Sequence, residues 1–256
     1  MAKAIMIQGT ASGVGKTILT LALCRIFRQD GYSVSPFKAL NLTTNTTLTE
    51  AGDEIAVSQY LQALAAGTKP TKDMNPFVIK PPSRTGKIVD ASTIMAAYER
   101  LCEQHDIIVI EGAGSPVELN LNHNDMVNMG MARRAKSPVL LVSDIDRGGV
   151  FASLYGTINL MKDWEREYVK ATVINRFRGD PALFYDGVKI VEDITKLPVA
   201  GVISHTEIDL PQEDGLFGDS NSFVTDTDYT AQFDHIAALV RKSLNMGLIY
   251  TILEGE

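Results

Sequence analysis

The stretch "MIQGTASGVGKTILTLALC", residues 6–24, constrains the fold more than any other part of the sequence. An apolar strand pattern leads into a glycine-rich turn, and a helical repeat of leucines follows directly. In this order of elements the backbone N–H groups of the turn converge at a helix amino terminus, whose partial positive charge favours anions. The Gly-Lys-Thr that ends the turn adds the lysine and the hydroxyl that contact phosphates and magnesium in phosphate loops. We therefore predict a phosphate loop within an α/β domain.

The glycine spacing departs at one position from the usual Gly-x4-Gly-Lys-Ser/Thr. Gly9 precedes Gly15 by one residue too many, so that Thr10 stands where the first glycine is expected. A glycine-rich turn with a chance lysine is the alternative interpretation. The strand, the loop and the helix in the required order favour the phosphate loop.

The rest of the chain alternates short β-rich runs with helical segments. The β-rich runs lie at residues 4–8, 33–38, 106–111, 138–144, 171–175 and 198–203. The helical segments lie near residues 16–29, 54–66, 91–104, 148–162 and 181–195. Several runs are almost wholly apolar, as expected when helices cover both faces of a sheet. The pattern predicts an α/β fold with a doubly wound, mainly parallel sheet and helices on both faces.

Composition and charge narrow the class of partner. The formal net charge of −7 argues against a nucleic-acid partner. No apolar run reaches the roughly 18 residues of a membrane span, and the amino terminus lacks a signal-peptide pattern, so we expect no membrane partner and a cytoplasmic location. After about residue 209 the sequence becomes polar and acidic, and a final helical stretch follows. We expect a phosphate-loop domain at 1–210 and an acidic linker with a C-terminal helix at 211–256.

Polar residues follow four of the predicted strands at their carboxyl ends, where open parallel sheets bind ligands. The groups are Lys38 with Asn41 and Asn45, Glu111 with "GAGSP", the sequence "DIDRGG", and Asn175 with "RFRG". Glu111 ends an apolar strand, where a carboxylate needs a cation, so Glu111 and Thr17 are the first candidate magnesium ligands. Asp53 or Glu54 either adds a ligand or complements the dipole of the helix expected there. Lys38 is either an exposed surface lysine or a second cation for a transferred phosphoryl group.

Seven motifs follow one another within residues 4–216. They are "MIQGTASGVGKT", "PFKALNLTTNT", "DEIAVSQYLQALAAG", "DMNPFVIKP", "EGAGSPVELNL", "DMVNMGMA" and "DIDRGGVFASLYGT". Together they resemble the amino-terminal synthetase domain of the cobyric acid synthase family, the glutamine-dependent amidases of the corrinoid (vitamin B12) pathway. The phosphate loop alone is equally similar to that of dethiobiotin synthetase, which belongs to the same superfamily of phosphate-loop NTPase folds. The resemblance therefore implies a dethiobiotin synthetase-like fold.

The resemblance also implies an ATP-dependent carbon–nitrogen ligase with ATP and Mg²⁺ as cofactors. Mg-ATP would phosphorylate a peripheral carboxylate of a corrinoid, and ammonia would displace the phosphate and leave an amide. The implied nucleotide-binding residues are Gly9, Ser12, Gly13, Val14, Gly15, Lys16, Thr17 and Asn175, of which Asn175 would read adenine. The expected metal ligands are Thr17, Glu54 and Glu111. The implied catalytic residues are Lys16, Lys38 and Asp146, and the implied substrate-facing residues are Asn41, Asn45, Ser115 and Arg147.

The source of ammonia and the choice of substrate stay open in the sequence. In the family a second domain hydrolyses glutamine through a cysteine nucleophile, but neither Cys24 nor Cys102 lies on the turn such a nucleophile needs. We expect ammonia from a separate glutaminase subunit, from free ammonium or from a domain outside this sequence. A homodimer is a further expectation from the superfamily. Leu40, where the family commonly has glutamine, and the short segment at 80–92 leave a changed substrate open.

Two alternative functions remain. One is a dethiobiotin synthetase-like enzyme that activates another small carboxylic acid with ATP. The other is a nucleotide-switch ATPase that dimerises around ATP. Switch ATPases usually carry a second lysine early in the loop, where this chain has Thr10, Ala11 and Ser12. That difference favours the two enzymes over the switch.

Overall fold

The computed structural model describes residues 2–80, 89–120, 125–207, 210 and 228–255. Its strands are β1 (Lys3–Gly9), β2 (Val34–Phe37), β3 (Leu40–Leu42), β4 (Thr46–Leu48), β5 (Glu54–Ala56), β6 (Phe77–Ile79), β7 (Ile107–Glu111), β8 (Val139–Asp144), β9 (Val169–Phe177) and β10 (Val199–Ser204). Its α-helices are α1 (Lys16–Gln29), α2 (Val57–Ala66), α3 (Ala91–Gln104), α4 (Met129–Ala135), α5 (Val150–Leu160), α6 (Asp163–Arg166), α7 (Tyr185–Thr195), α8 (Thr230–Ser243) and α9 (Met246–Glu254). Most of the segment 80–92 and all of 211–227, which carries the expected acidic linker, lie outside the described residues.

Six of these strands form a parallel central sheet in the order β10-β9-β8-β1-β7-β2. They correspond to the six β-rich runs of the sequence, so the predicted parallel sheet is confirmed. β1 lies between β7 and β8, and the loop that follows β1 is therefore flanked by the carboxyl ends of both neighbours. This is the edge where parallel sheets bind ligands.

Helices cover both faces of the sheet, as predicted. Alternate residues of each strand point to opposite faces, so Ile5 and Ile7 of β1 join one buried cluster while Met6 joins the other. The first cluster packs the sheet against α1, α2, α8 and α9, and the second packs it mainly against α3, α4 and α5. Burial on both faces explains the nearly continuous apolar runs of the sequence.

Two small sheets, formed by strands on either side of α2 in the chain, were not predicted. β3 pairs with β6 in parallel, and β4 pairs with β5 as an antiparallel hairpin. Strands of three residues are too short for an alternating pattern to reveal. Glu54 therefore begins strand β5, and the expectation that Asp53 or Glu54 opens a helix is wrong. Helix α2 begins at Val57, whose N–H donates to the carbonyl of Asn45 at 3.1 Å.

The single C-terminal helix expected from the sequence is two helices. Asn245 separates them, because its Oδ1 accepts from the N–H of Leu248 at 3.1 Å and so caps α9. The N–H of Asn245 donates to the carbonyl of Ala200 in β10 at 2.8 Å. Phe233 of α8 and Ile249 of α9 lie in the same buried cluster as α1. The two helices thus pack directly on the helix that follows the glycine loop.

None of the helices in the described part of the chain combines the length and the apolar character needed to cross a membrane.

Candidate functional site

The glycine loop turns between β1 and α1 with two glycines in left-handed conformations. Gly13 has φ 71° and Gly15, which precedes the first residue of α1, has φ 99°. A Cβ atom on Gly15 would lie 2.1 Å from Nδ2 of Asn175. That amide donates to the carbonyl of Val14 at 2.8 Å, so the end of β9 fastens the loop. Both the backbone conformation and the close approach of Asn175 require glycine at position 15.

Lys16 is almost fully buried and bridges two loops. Its Nζ donates to the carbonyl of Ala11 at 2.8 Å and to that of Gly114 at 3.0 Å. The first carbonyl belongs to the glycine loop and the second to the "GAGSP" segment after β7. The structure therefore brings the glycine loop and one of the polar groups expected at this edge together around one ammonium.

Glu111, at the end of β7, accepts from two of the other predicted residues. Its Oε1 lies 2.9 Å from the Thr17 hydroxyl and 2.9 Å from Nζ of Lys38. The side chains of Lys38 and Glu111 are only 7% and 1% exposed. The interpretation of Lys38 as an exposed surface lysine is therefore wrong. Two opposite charges buried beside an anion-binding loop form the electrostatic centre of the site.

Two glutamines that were not predicted complete this cluster. Nε2 of Gln62 donates to Oε2 of Glu111 at 2.6 Å, and Nε2 of Gln59 donates to the same oxygen at 3.3 Å. Both residues come from α2 and are fully buried. The available signal was in "DEIAVSQYLQALAAG", where two amides three residues apart share one side of a largely apolar helix.

Three of the four predicted substrate-facing residues, Asn41, Asn45 and Ser115, lie in the segments around this cluster. Nδ2 of Asn41 donates to Oε1 of Gln59 at 2.9 Å, and Asn41 is buried. Asn45 is half-buried and precedes the β4–β5 hairpin. Ser115 is buried, and its carbonyl accepts from Nδ2 of Asn128 at 3.2 Å.

Asn128 is a third residue that was not predicted, and its side chain holds the segment after β7. Its side chain donates to the carbonyl of Ala113 at 2.7 Å and accepts from the N–H of Ala113 at 3.1 Å. A Cβ atom on Gly112 would meet Oδ1 of Asn128 at 2.4 Å. Asn128 thus holds the segment whose Gly114 carbonyl accepts from Lys16. The motif "DMVNMGMA" carried this residue in the sequence.

Three other predicted residues, Glu54, Asp146 and Arg147, make their described contacts with residues outside the Glu111 cluster. Glu54 accepts from the Thr46 hydroxyl at 2.8 Å and pairs with Lys80, and these contacts hold the pKa of Glu54 below its ordinary value. Asp146 accepts two hydrogen bonds from Arg178, which likewise lower the pKa of Asp146. Nε of the exposed Arg147 lies 3.6 Å from Oδ2 of Asp144.

The contacts of Asp146 and Arg147 belong to a second polar cluster along the same sheet edge. Asp144 is buried at the end of β8 and also accepts from Nη1 of Arg176 at 2.9 Å. The N–H of Asp146 donates to Oδ1 of Asp144 at 2.8 Å. Asp146 and Arg147 therefore lie beside the ends of β8 and β9, while Glu111 and Lys38 lie beside the ends of β7 and β2.

The oxygen atoms of Glu111 and Thr17 fit part of the coordination shell of a magnesium ion, which the phosphates of a nucleotide would help to complete. Within the described residues, no group of three or more His, Cys, Asp or Glu side chains could hold a metal by itself. Mg²⁺ is usually bound through one or two carboxylates together with substrate phosphates and water. Glu111 and the Thr17 hydroxyl, next to the loop N–H groups, provide such an incomplete set. The cysteines lie elsewhere, and burial raises the pKa of the Cys24 thiol, as expected for a core residue.

Sequence comparisons identify a family and relatives of this chain. The sequence profile of the family described as "AAA domain" matches residues 3–210. The chain is 46% identical over 237 residues to a cobyric acid synthase of Streptococcus sanguinis (strain SK36), with 84% of this chain and 48% of that protein covered. It is 48% identical over 237 residues to a cobyric acid synthase of Ruminiclostridium cellulolyticum, with 84% and 46% covered. The chain thus spans about half the length of the curated relatives it matches.

Among solved structures, the chain resembles the signal recognition particle receptor FtsY of Elizabethkingia anophelis in complex with GDP. The TM-score is 0.49 at 20% sequence identity, with 79% of this chain and 57% of that chain covered.

Proposed function

The chain belongs to the AAA domain family, and on this premise we propose that it is an ATP-dependent synthetase that amidates peripheral carboxylates of a corrinoid. Its similarity to cobyric acid synthases over 84% of its length supports the substrate class and the type of bond formed. We propose residues 1–210 as the synthetase domain, with helices α8 and α9 fastened to it. The reaction joins a carboxylate to ammonia and consumes ATP.

The observation that carries the proposal is the meeting of Thr17, Lys38 and Glu111 beside the loop that holds Lys16. An anion cradle, two buried ammonium groups and a buried carboxylate next to a hydroxyl are the parts that phosphoryl transfer needs. A structural role alone gives little reason to bury such charges, because apolar residues of similar volume are often at least as stabilising as a buried ion pair.

In the proposed mechanism, the backbone N–H groups from Gly9 to Thr17 bind the triphosphate of ATP. An oxygen of the corrinoid carboxylate attacks the γ-phosphorus, ADP leaves, and an acyl phosphate forms. Ammonia then attacks the acyl carbon, inorganic phosphate leaves, and a proton is lost to give the amide. Lys16 and Lys38 stabilise the negative charge that shifts as the phosphoryl group moves. Thr17 and Glu111 would hold magnesium, which supplies charge neutralisation at the phosphate oxygens.

The remaining predicted residues enter the proposal with less defined contacts. Asn41, Asn45 and Ser115 lie in the segments next to Glu111 and would face the carboxylate substrate. Asp146 and Arg147 lie along the neighbouring part of the edge, where Asp146 would orient the reacting groups and Arg147 would attract the acidic substrate. Asn175 would contact the adenine, and Glu54 would be a third ligand of the metal. A separate glutaminase subunit as ammonia donor and a homodimer are further parts of the proposal.

The proposal is tested by incubating the protein with Mg-ATP, ammonium and a panel of partly amidated corrinoids, and by weighing the products. Each amidation lowers the mass of the corrinoid by about one unit, and we expect ADP and phosphate in equal amounts to the new amide groups. Omission of ammonium serves as the control for uncoupled hydrolysis. Unchanged corrinoid masses, from folded protein that binds ATP, would contradict the proposal. Hydrolysis that needs no corrinoid would instead support a nucleotide switch.

A further inference from the structure

The two oxygens of Glu111 have different partners. Oε1 accepts from Thr17 and Lys38, the residues of the proposed reaction. Oε2 accepts from Gln62 at 2.6 Å and from Gln59 at 3.3 Å. A buried carboxylate whose oxygens are each held by separate donors has one orientation. The side chain of Glu111 is therefore fixed from the α2 side.

The other hydrogen bonds of Gln59 and Gln62 fix the orientation of their side-chain amide groups. Nε2 of Gln62 also donates to the carbonyl of Thr17 at 3.2 Å, which uses both of its N–H groups. Oε1 of Gln59 accepts from Nδ2 of Asn41 at 2.9 Å and from the Ser58 hydroxyl at 3.0 Å. Turning the Gln62 amide round would place its oxygen against the Glu111 carboxylate. The network accordingly has a single arrangement that satisfies its donors.

Packing alone does not account for amides at these positions. Gln59 and Gln62 are both 0% exposed, and neighbouring α2 residues such as Leu61, Ala63 and Ala65 are apolar. A buried amide costs free energy unless its hydrogen bonds are made, and a methionine of similar volume would carry no such cost. The hydrogen bonds to Glu111, Asn41 and Thr17 therefore explain why positions 59 and 62 carry glutamine.

We propose that Gln62 and Gln59 are positioning residues for Glu111. By holding Oε2 they present Oε1 beside Thr17, where the proposed function requires the metal. Gln59 also joins the carboxylate to Asn41, so that one helix sets the orientation of both the metal ligand and the proposed substrate edge. The described hydrogen bonds of both glutamines go to protein groups, so each would act through the residues that it holds. This inference rests on the proposed nucleotide site.

The experiment measures binding rather than turnover. A fluorescent ATP analogue is titrated onto the protein at increasing Mg²⁺ and also without Mg²⁺, for wild type and for Gln62→Met and Gln59→Met. Loss of a residue that orients a metal ligand typically costs about 10–100-fold in metal affinity. We expect Gln62→Met to raise the half-saturating Mg²⁺ concentration by about that factor, and Gln59→Met to raise it by about tenfold. Nucleotide affinity without Mg²⁺ should change by less than about twofold in both variants. No described hydrogen bond joins either glutamine to a backbone N–H group of the glycine loop, since Gln62 contacts the loop through the Thr17 carbonyl.

Gln8 offers a matched control. It is also 0% exposed, and its described side-chain contact is with the sulfur of Met6 at 3.3 Å, not with Glu111. Gln8→Met makes the same chemical change at another buried site, and we expect its Mg²⁺ dependence to equal that of wild type.

Two results would overturn the inference, and a third would contradict the proposed function on which it rests. It is overturned if both glutamine variants keep the wild-type Mg²⁺ dependence, or if their Mg²⁺-free nucleotide affinity falls as far as the Mg²⁺-dependent affinity. Wild type that binds no nucleotide would instead contradict the proposed function. Circular dichroism checks the fold of each variant, and if Gln62→Met does not fold, Gln59→Met decides the question.

Discussion

The two ends of helix α1 are both built around charges, and they differ in burial. At the amino-terminal end Lys16 is 7% exposed, and Thr17 contacts Glu111, which is 2% exposed. At the carboxyl-terminal end the side chains of Asp30 and Arg241 form an ion pair while 29% and 37% exposed. The same helix therefore carries a buried polar cluster at one end and a solvated one at the other.

The difference in burial suggests different roles for the charges at the two ends of α1, one in the proposed reaction and one in holding helices together. The desolvation penalty of burying opposite charges can exceed their attraction, so stability alone does not explain the amino-terminal cluster, and we propose that it serves the reaction. At the other end Asp30 accepts from Arg241 and from the Tyr250 hydroxyl, and so ties α1 to α8 and α9. Exposed pairs of this kind stabilise a protein by about 0–1 kcal/mol each. Variants at the two ends should therefore differ in what they lose.

The largest expected effect is on turnover, from Lys16→Ala. Loss of this ammonium removes a preorganised charge from the phosphoryl-transfer step, and we expect a fall in turnover of about 10³-fold. The fold should persist, because the hydrophobic clusters on both faces of the sheet are untouched. The measurement is coupled ADP release together with thermal unfolding. Arg28→Ala at the other end of α1 is the control, and wild-type activity in Lys16→Ala would refute the site.

The next largest effect is on stability, from the Glu111–Lys38 pair. Removing one partner of a buried ion pair costs about 3–5 kcal/mol, because the remaining charge stays buried. Glu111→Gln should therefore lower the free energy of unfolding by about 3 kcal/mol. The double variant with Lys38→Met should recover part of that loss while remaining inactive. Urea unfolding of wild type, both single variants and the double variant measures the coupling, and strictly additive losses would argue against a buried pair.

The sequence was sufficient for the central sheet and for the contact of Thr17, Lys38 and Glu111 at one edge of it. Long apolar runs and the glycine loop carry their own signals, and strands that end at one edge must bring Glu111, Lys38 and the loop near each other. The sequence was insufficient for Gln59, Gln62 and Asn128, because an amide on a helix or in a turn has no periodic signal that tells what it will hold. For Glu54, by contrast, the local structure predicted from the sequence was wrong. Its charge indicated a helix start, but the pairing of β4 with β5 placed it in a hairpin beside Lys80.

The smallest expected effect, from Asp30→Asn, tests the solvated end of α1. Burial opposes ionisation of Asp30, but its hydrogen bonds to Arg241 and Tyr250 outweigh it and hold the pKa of Asp30 below the ordinary value of 3.8. A carboxylate with a lowered pKa stabilises the fold above the ordinary pKa, and that contribution disappears as pH falls through the lowered value. We expect Asp30→Asn to cost about 0.2–1 kcal/mol at neutral pH and to lose nothing in turnover. Its difference from wild type should begin to shrink at about pH 4 and disappear only as pH falls through the lowered pKa of Asp30.

Urea unfolding from pH 7 to pH 3 measures this effect, with Lys196→Ala as a control that removes another exposed ion pair, that with Asp193. A loss of turnover in Asp30→Asn would mean that the solvated end of α1 communicates with the loop, and the contrast between the two ends would fail. A constant stability difference at every pH would mean that the carboxylate charge is not what fastens α8 and α9. The expected combination, a small loss that depends on pH with intact turnover, follows only if the charges at this end are structural and those at the other end are chemical.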